Sequence, residues 1–179
     1  MVDSPETTGR QLGREIATDQ VISAKVLKLV NSGFYGFSEP ISTIQHAVTL
    51  LGFNTVKSLV LSSTVLDLMK DSLPGLWEHS IACGVAARML AGKLRYRVQG
   101  EAFAAGILHD IGKLILSQYF PDEFGEILAL VRDEDFYIGK AEERVLDVTH
   151  AEIGQWLAEK WNLPDQLVSA IAYHHVPGR

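Results

Sequence analysis

Apolar side chains recur at helical spacing along almost the whole chain, and no run of strict alternation is bounded by hairpin turns, so the pattern predicts an all-α fold. After a short helical piece from Gln11 to Ala17, Asp19 stands where it caps a helix with the stripe Ile22, Val26, Leu29 and Val30, ending near Asn31-Ser32-Gly33. Thr43 caps a helix that stops at Gly52, and Asn54 caps a longer one to about Lys70. Pro74 and Gly75 interrupt the pattern. Leu76 to Leu94 and Glu101 to Tyr119 then read as two helices with few charges, apolar nearly all round and therefore central. Pro121 opens a helix to Arg132, and a polar loop leads to another over Lys140 to Leu146. Thr149 and Glu152 have the spacing of a capping box ahead of Ile153, Leu157 and Trp161. Pro164 opens a helix that carries Val168, Ile171 and His175 on one face.

At 179 residues, with 47% hydrophobic and 21% charged side chains, the chain has the size and balance of one folded domain. We place a tail at residues 1–9 and the domain at 10–179, with an upstream helical lobe at about 11–70 and a second bundle at about 76–175. The flanks are so short that the sequence reads as a piece of a longer protein. Its net charge of −6, without a basic run, argues against general affinity for nucleic acid. The N-terminus lacks a signal peptide and no segment holds 18 uninterrupted apolar residues, so a cytoplasmic protein without a membrane span is expected. The single cysteine, Cys83, fits a reducing compartment and reads as a small core residue.

The chemistry concentrates in Ala105-Gly-Ile-Leu-His109-Asp110-Ile-Gly-Lys113, where an imidazole and a carboxylate interrupt an apolar helix. Burying them costs several kcal/mol unless partners satisfy them. A divalent metal is one such partner, since imidazole with carboxylate suits zinc, iron or manganese; a hydrogen-bonded pair tying helices together is the other. His79 shares a helical face with Cys83, Ala86 and Leu90, which the period turns toward the core. His150 follows a helix cap, and His174 and His175 come near the end of a helix. Five of the six histidines thus stand where they can converge, and only His46 lies outside.

The series Leu76-Trp-Glu-His79-Ser80, His109-Asp110-Ile-Gly-Lys113, Thr149-His150-Ala-Glu-Ile-Gly154 and Ile171-Ala-Tyr-His174-His175 resembles the HD superfamily of metal-dependent phosphohydrolases. The upstream segments Lys25-Val-Leu-Lys-Leu-Val-Asn-Ser-Gly-Phe-Tyr-Gly36, Ile41-Ser-Thr-Ile-Gln-His-Ala-Val48 and Leu51-Gly52 look like its HDOD branch, a bacterial signalling-output family. The resemblance covers roughly residues 12 to 178. It implies an HD-type helical bundle with an upstream helical lobe, and metal-ligand positions at His79, His109 and Asp110. The related cyclic di-GMP phosphodiesterases add His150, His174 and His175. A divalent ion (Fe, Mn, Zn or Mg) is the implied cofactor, at a site the sequence leaves either filled or empty. In an active enzyme Asp110 and Lys113 would take the catalytic roles, Lys113 facing phosphate.

Departures from the pattern matter. Val176-Pro177-Gly178 replaces the recognition segment of the cyclic di-GMP enzymes, Gly75 stands where they place a glutamate, and the HD motif's closing aspartate would fall beyond Arg179. The resemblance therefore implies a signalling module that contacts other signalling proteins or domains, with a nucleotide as a candidate ligand. The alternative is a working phosphohydrolase on a nucleotide or cyclic dinucleotide. A third class, DNA binding through a helix-turn-helix over Ile44 to Leu61, offers only Lys57 as a cation on its recognition helix.

Overall fold

The computed structural model describes residues 16, 18–32, 35, 37–96, 99–134, 136–176 and 178. The expected helical piece at Gln11 to Ala17 falls almost wholly outside these residues, as do Gly33, Phe34 and Gly36 after the first helix and Arg179. Among the described residues the fold is all-helical: α1 (Gln20–Val30), α2 (Ile44–Leu51), α3 (Phe53–Ser72), α4 (Leu76–Lys93), α5 (Gln99–Leu108), α6 (Ile111–Tyr119), α7 (Pro121–Asp133), α8 (Ile138–Leu146), α9 (His150–Lys160) and α10 (Asp165–Tyr173).

Three of the four expected side-chain caps form. Asp19 accepts from the backbone N–H groups of Val21 and Ile22, Thr43 from His46, and Thr149 and Glu152 close a capping box at the start of α9. Asn54 does not cap α3. Gly52 takes that place with φ +84°, a left-handed conformation that costs a glycine little, and α3 therefore begins at Phe53.

The main core runs through α1, α2, α3, α5 and α6, where Val26, Val30, Leu59, Met69, Ile107 and Leu108 are fully buried, and reaches Leu167 and Ile171 of α10. A smaller cluster of Leu116, Phe124, Ile127 and Ala141 joins α6 to α7 and α8. Lys57, the one cation of the supposed recognition helix, is 4% exposed and donates to the carbonyls of Trp161 and Asn162 at 2.8 and 2.9 Å. It satisfies orphan carbonyls where α9 ends, a place that favours a positive charge, and this removes it from a DNA-facing surface.

Two expectations about the central helices need correction. Glu101 to Tyr119 is not one helix: α5 ends at Leu108 and α6 starts at Ile111, with His109 and Asp110 in the break. Nor is α4 buried all round. Leu76, Ser80, Gly84 and Ala91 form its buried face, while Val85, Met89, Leu90 and Leu94 are exposed. The reason is close backbone packing. A Cβ on Gly106 of α5 would stand 2.6 Å from the Cα of Gly84, so α4 turns its smallest residues, rather than its largest apolar ones, toward α5.

Candidate metal centre

The break after Leu108 positions the central carboxylate. His109 N–H still bonds Ala105 O, completing the last turn of α5, and Asp110 then turns inward until it is 1% exposed. Gly112 lets α6 approach the start of α9, for a Cβ there would lie 1.9 Å from the carbonyl oxygen of His150. That contact brings His150, at the first helical position of α9, against Asp110. Lys113, expected to face phosphate, instead pairs with Asp110: Nζ donates to Asp110 Oδ2 at 2.7 Å.

The five histidines proposed as metal ligands converge on this carboxylate, the sixth proposed ligand. His79 Nε2 and His109 Nε2 lie 3.4 and 3.3 Å from Asp110 Oδ2, and 3.2 Å from each other. On the other side His150 Nε2 and His174 Nε2 lie 3.2 and 3.5 Å from Oδ1. His150 Nε2 also meets His174 Nε2 at 3.1 Å and His175 Nε2 at 3.0 Å. His46 stays outside, exposed on α2. His174 caps α10 and His175 follows it, so both rings are presented from the helix end and not from a face within the helix.

The outer nitrogens decide what faces inward. His109 Nδ1–H donates to Gly106 O at 2.9 Å, and His174 Nδ1–H donates to Ile171 O at 2.8 Å. The carboxylate of Glu142, fully buried on α8, accepts from His150 Nδ1–H at 2.7–2.8 Å and from its backbone N–H at 2.9 Å. These bonds place the ring hydrogens outside and leave the Nε2 lone pairs of all three rings pointing in. With His150 and His174 in those tautomers, no hydrogen lies between two lone pairs 3.1 Å apart, and Asp110 Oδ1 is buried without a hydrogen-bond donor. A positive species resolves both, and a carboxylate holding the outer nitrogen of an inward-facing imidazole is a recurring feature around metal ions. The donor set therefore fits a divalent metal: Asp110 Oδ1 with His150, His174 and His175 forms one group of ligand atoms within 4.8 Å of one another, and His79, Cys83 and His109 form another.

Charge follows the same geometry. Burial pushes Asp110 up, but the imidazoles of His109, His150 and His174 outweigh it and hold the carboxyl far below its usual range. Burial also opposes protonation of His150, yet Asp110 and Glu142 prevail and raise it. His175 is lowered to about 4 by burial and by the neighbouring His174 and His150. His79 is lowered, first by burial.

The sequence misplaced His79 and Cys83 and missed Glu142. The face that carries them on α4 is no core face, and the His79 side chain is 52% exposed at the rim of the centre. Cys83 lies half-buried beside it, with Sγ 3.6 Å from His79 Nε2. Glu142 follows Ile138 by one helical turn and precedes Val145 by three residues, which places it on the apolar face of α8; an acidic residue on that face was the signal available.

The HDOD domain model matches residues 1–177. The chain belongs to the HDOD family. Of solved structures, it resembles a Shewanella amazonensis protein provisionally described as a phosphohydrolase, at 30% identity and a TM-score of 0.75 over 98% of this chain and 64% of that one. It also resembles a Marinobacter aquaeolei protein provisionally described as a signal transduction protein, at 26% identity and a TM-score of 0.67 over 99% of this chain and 42% of that one. A curated relative, ribonuclease Y of Desulfotalea psychrophila, is 28% identical over 202 residues, 96% of this chain and 36% of the ribonuclease. This HDOD domain spans about a third of the length of the curated relatives it matches first, 35% and 36%. No helix among the described residues is long and apolar enough to cross a membrane.

Proposed function

We propose that this HDOD domain is the regulatory output module of a bacterial signalling protein, acting through protein contacts, with a divalent metal held in its histidine–aspartate centre as a structural element. The observation that carries the reading is the charge of the centre. Among the described residues, Asp110 is the only carboxylate facing the inward ring nitrogens, and Lys113 already pairs with it. Five imidazoles, each neutral as a ligand, and one shared carboxylate offset little of the charge of two ions, so the two-metal arrangement that clamps attacking and leaving oxygens in hydrolysis is poorly supported. The exposed apolar side chains of α4, Val85, Met89, Leu90 and Leu94, favour a domain that meets other protein surfaces.

When bound, the metal would supply positive charge to the lone pairs. His150, His174, His175 and Asp110 Oδ1 would hold it in one half of the centre, and the other half offers His79, His109 and Asp110 Oδ2. Glu142 keeps His150 turned inward, Lys113 steadies Asp110, and the two helix-end carbonyls fix His109 and His174.

A second reading, a metal-dependent phosphohydrolase acting on a nucleotide or cyclic dinucleotide, is favoured by the open rim at His79 and by the Lys113 ammonium beside it. The phosphohydrolase and ribonuclease descriptions of two relatives point the same way. The test is turnover of cyclic di-GMP, nucleoside triphosphates and a short RNA with Mn, Fe or Zn supplied. The output reading expects no turnover above that of His109→Ala. Turnover that His109→Ala abolishes would replace it with the hydrolase.

A further inference from the structure

We propose that Cys83 is a metal ligand, closing with His79, His109 and Asp110 Oδ2 a four-coordinate zinc site in the half of the centre that faces α4. The inference rests on the reading that the centre holds a metal, and adds a residue which the HD pattern does not contain.

His79 and Cys83 are one helical turn apart on α4, so they share a face and reach the same point beside the α5–α6 break. Cys83 Sγ lies 3.6 Å from His79 Nε2, and the ligand atoms of His79, Cys83 and His109 all lie within 4.8 Å of one another. Bonds of about 2.0–2.1 Å to nitrogen and oxygen and about 2.3 Å to sulfur, at tetrahedral angles, separate nitrogen or oxygen pairs by about 3.3 Å and nitrogen from sulfur by about 3.6 Å. The structure shows 3.2 Å between the two Nε2 atoms, 3.3 and 3.4 Å from them to Asp110 Oδ2, and 3.6 Å to sulfur. These match four of the six edges of a tetrahedral zinc shell. Asp110, 1% exposed, sets Oδ2 between the His79 and His109 rings, while its donorless Oδ1 faces His150 and His174 in the other half.

The donor chemistry selects the ion. Thiolate with imidazole and carboxylate favours zinc over magnesium or calcium, which prefer all-oxygen shells. Gly75 stands one turn before His79, where the cyclic di-GMP enzymes place a glutamate; Cys83, one turn after it, restores a negative ligand to this half. The thiol releases its proton to solvent as the metal binds, with no change of oxidation state. A shell closed by four protein ligands leaves no position for water, the mark of a structural rather than a catalytic zinc.

The chain has one cysteine, so thiol chemistry reports on Cys83 alone. The experiment measures zinc binding and the rate of Cys83 alkylation by iodoacetamide in folded protein, zinc-loaded and after chelation, and records the absorption spectrum with cobalt(II) in place of zinc. The proposal expects alkylation at least tenfold slower with zinc, a thiolate-to-cobalt charge-transfer band, and loss of that band with at least tenfold weaker zinc binding in Cys83→Ala. His109→Ala, which leaves the cysteine in place, should lose both the metal and the protection. Zinc bound with unchanged alkylation and no band would overturn the role of Cys83 while leaving the metal centre standing. No binding of zinc or cobalt by protein that melts cooperatively would overturn both.

Discussion

Replacing Glu142 with glutamine changes one buried atom and should disturb the centre out of proportion to that change. The carboxylate accepts from both N–H groups of His150, at 2.9 Å from the backbone and 2.7–2.8 Å from Nδ1. A glutamine has one acceptor oxygen. If that oxygen keeps both hydrogens, its NH₂ group stands about where Oε1 now lies, 2.8 Å from Nδ1, and sets two donors against each other. If the ring instead moves its hydrogen to Nε2, the hydrogen enters the cluster and the inward lone pair is lost. A charge-assisted hydrogen bond in a site with no exposure is worth about 1.5–3 kcal/mol. In a chain of this size each kcal/mol moves Tm by about 2–4 °C, so Glu142→Gln should melt about 3–12 °C lower without metal. Zinc affinity of the half that contains His150 should fall about 10–100-fold, the usual cost of removing such an orienting partner. Thermal melts of chelated protein and competition against a chromogenic zinc chelator measure the two effects. Unchanged Tm together with unchanged zinc affinity would refute the claim that Glu142 sets the tautomer of His150.

Gly112→Ala should destabilise by about 1–3 kcal/mol or more, because the methyl group meets a backbone carbonyl, whereas Gly125→Ala on α7, with open space around it, should stabilise by about 0.4–1 kcal/mol; paired urea titrations check both. Lys57→Met should cost about 1.5–3 kcal/mol in the same assay by leaving the carbonyls of Trp161 and Asn162 without their charged donor. His175 is lowered to about 4 in the folded state, so as pH falls from about 6.5 to about 4 the unfolded chain takes up its proton first and metal-free stability declines. His175→Gln should flatten that part of a stability profile measured at pH 7, 6, 5 and 4, and an unaltered slope would count against the buried, histidine-crowded setting of that ring.

Local signals in the sequence carried far. Asp19, Thr43 and the Thr149–Glu152 pair each hold the backbone donors expected of them, since a cap depends on neighbours within three residues. The convergence of the histidines was legible because a His-Asp pair among apolar residues must find partners. Features set by contacts between distant helices were not. The face that α4 buries follows from Gly84 meeting Gly106, a backbone approach that an apolar period cannot announce. The break at His109 and Asp110 was read through as helix because no proline marks it, although Gly106 and Gly112 stand on either side. Lys57 looked like a surface cation because its partners lie more than a hundred residues away.

Placing His174 and His175 immediately after α10 has a consequence for exchange with solvent. Short helices such as α10 commonly open by themselves, at a free energy below that of global unfolding, and their amide hydrogens exchange through that local event. With an ion in the half formed by Asp110 Oδ1, His150, His174 and His175, α10 cannot open without breaking metal–nitrogen bonds or carrying part of α9 with it. Metal should therefore slow the amides of Leu167 to Tyr173 far more than those of α1, and draw the two short helices into one opening unit.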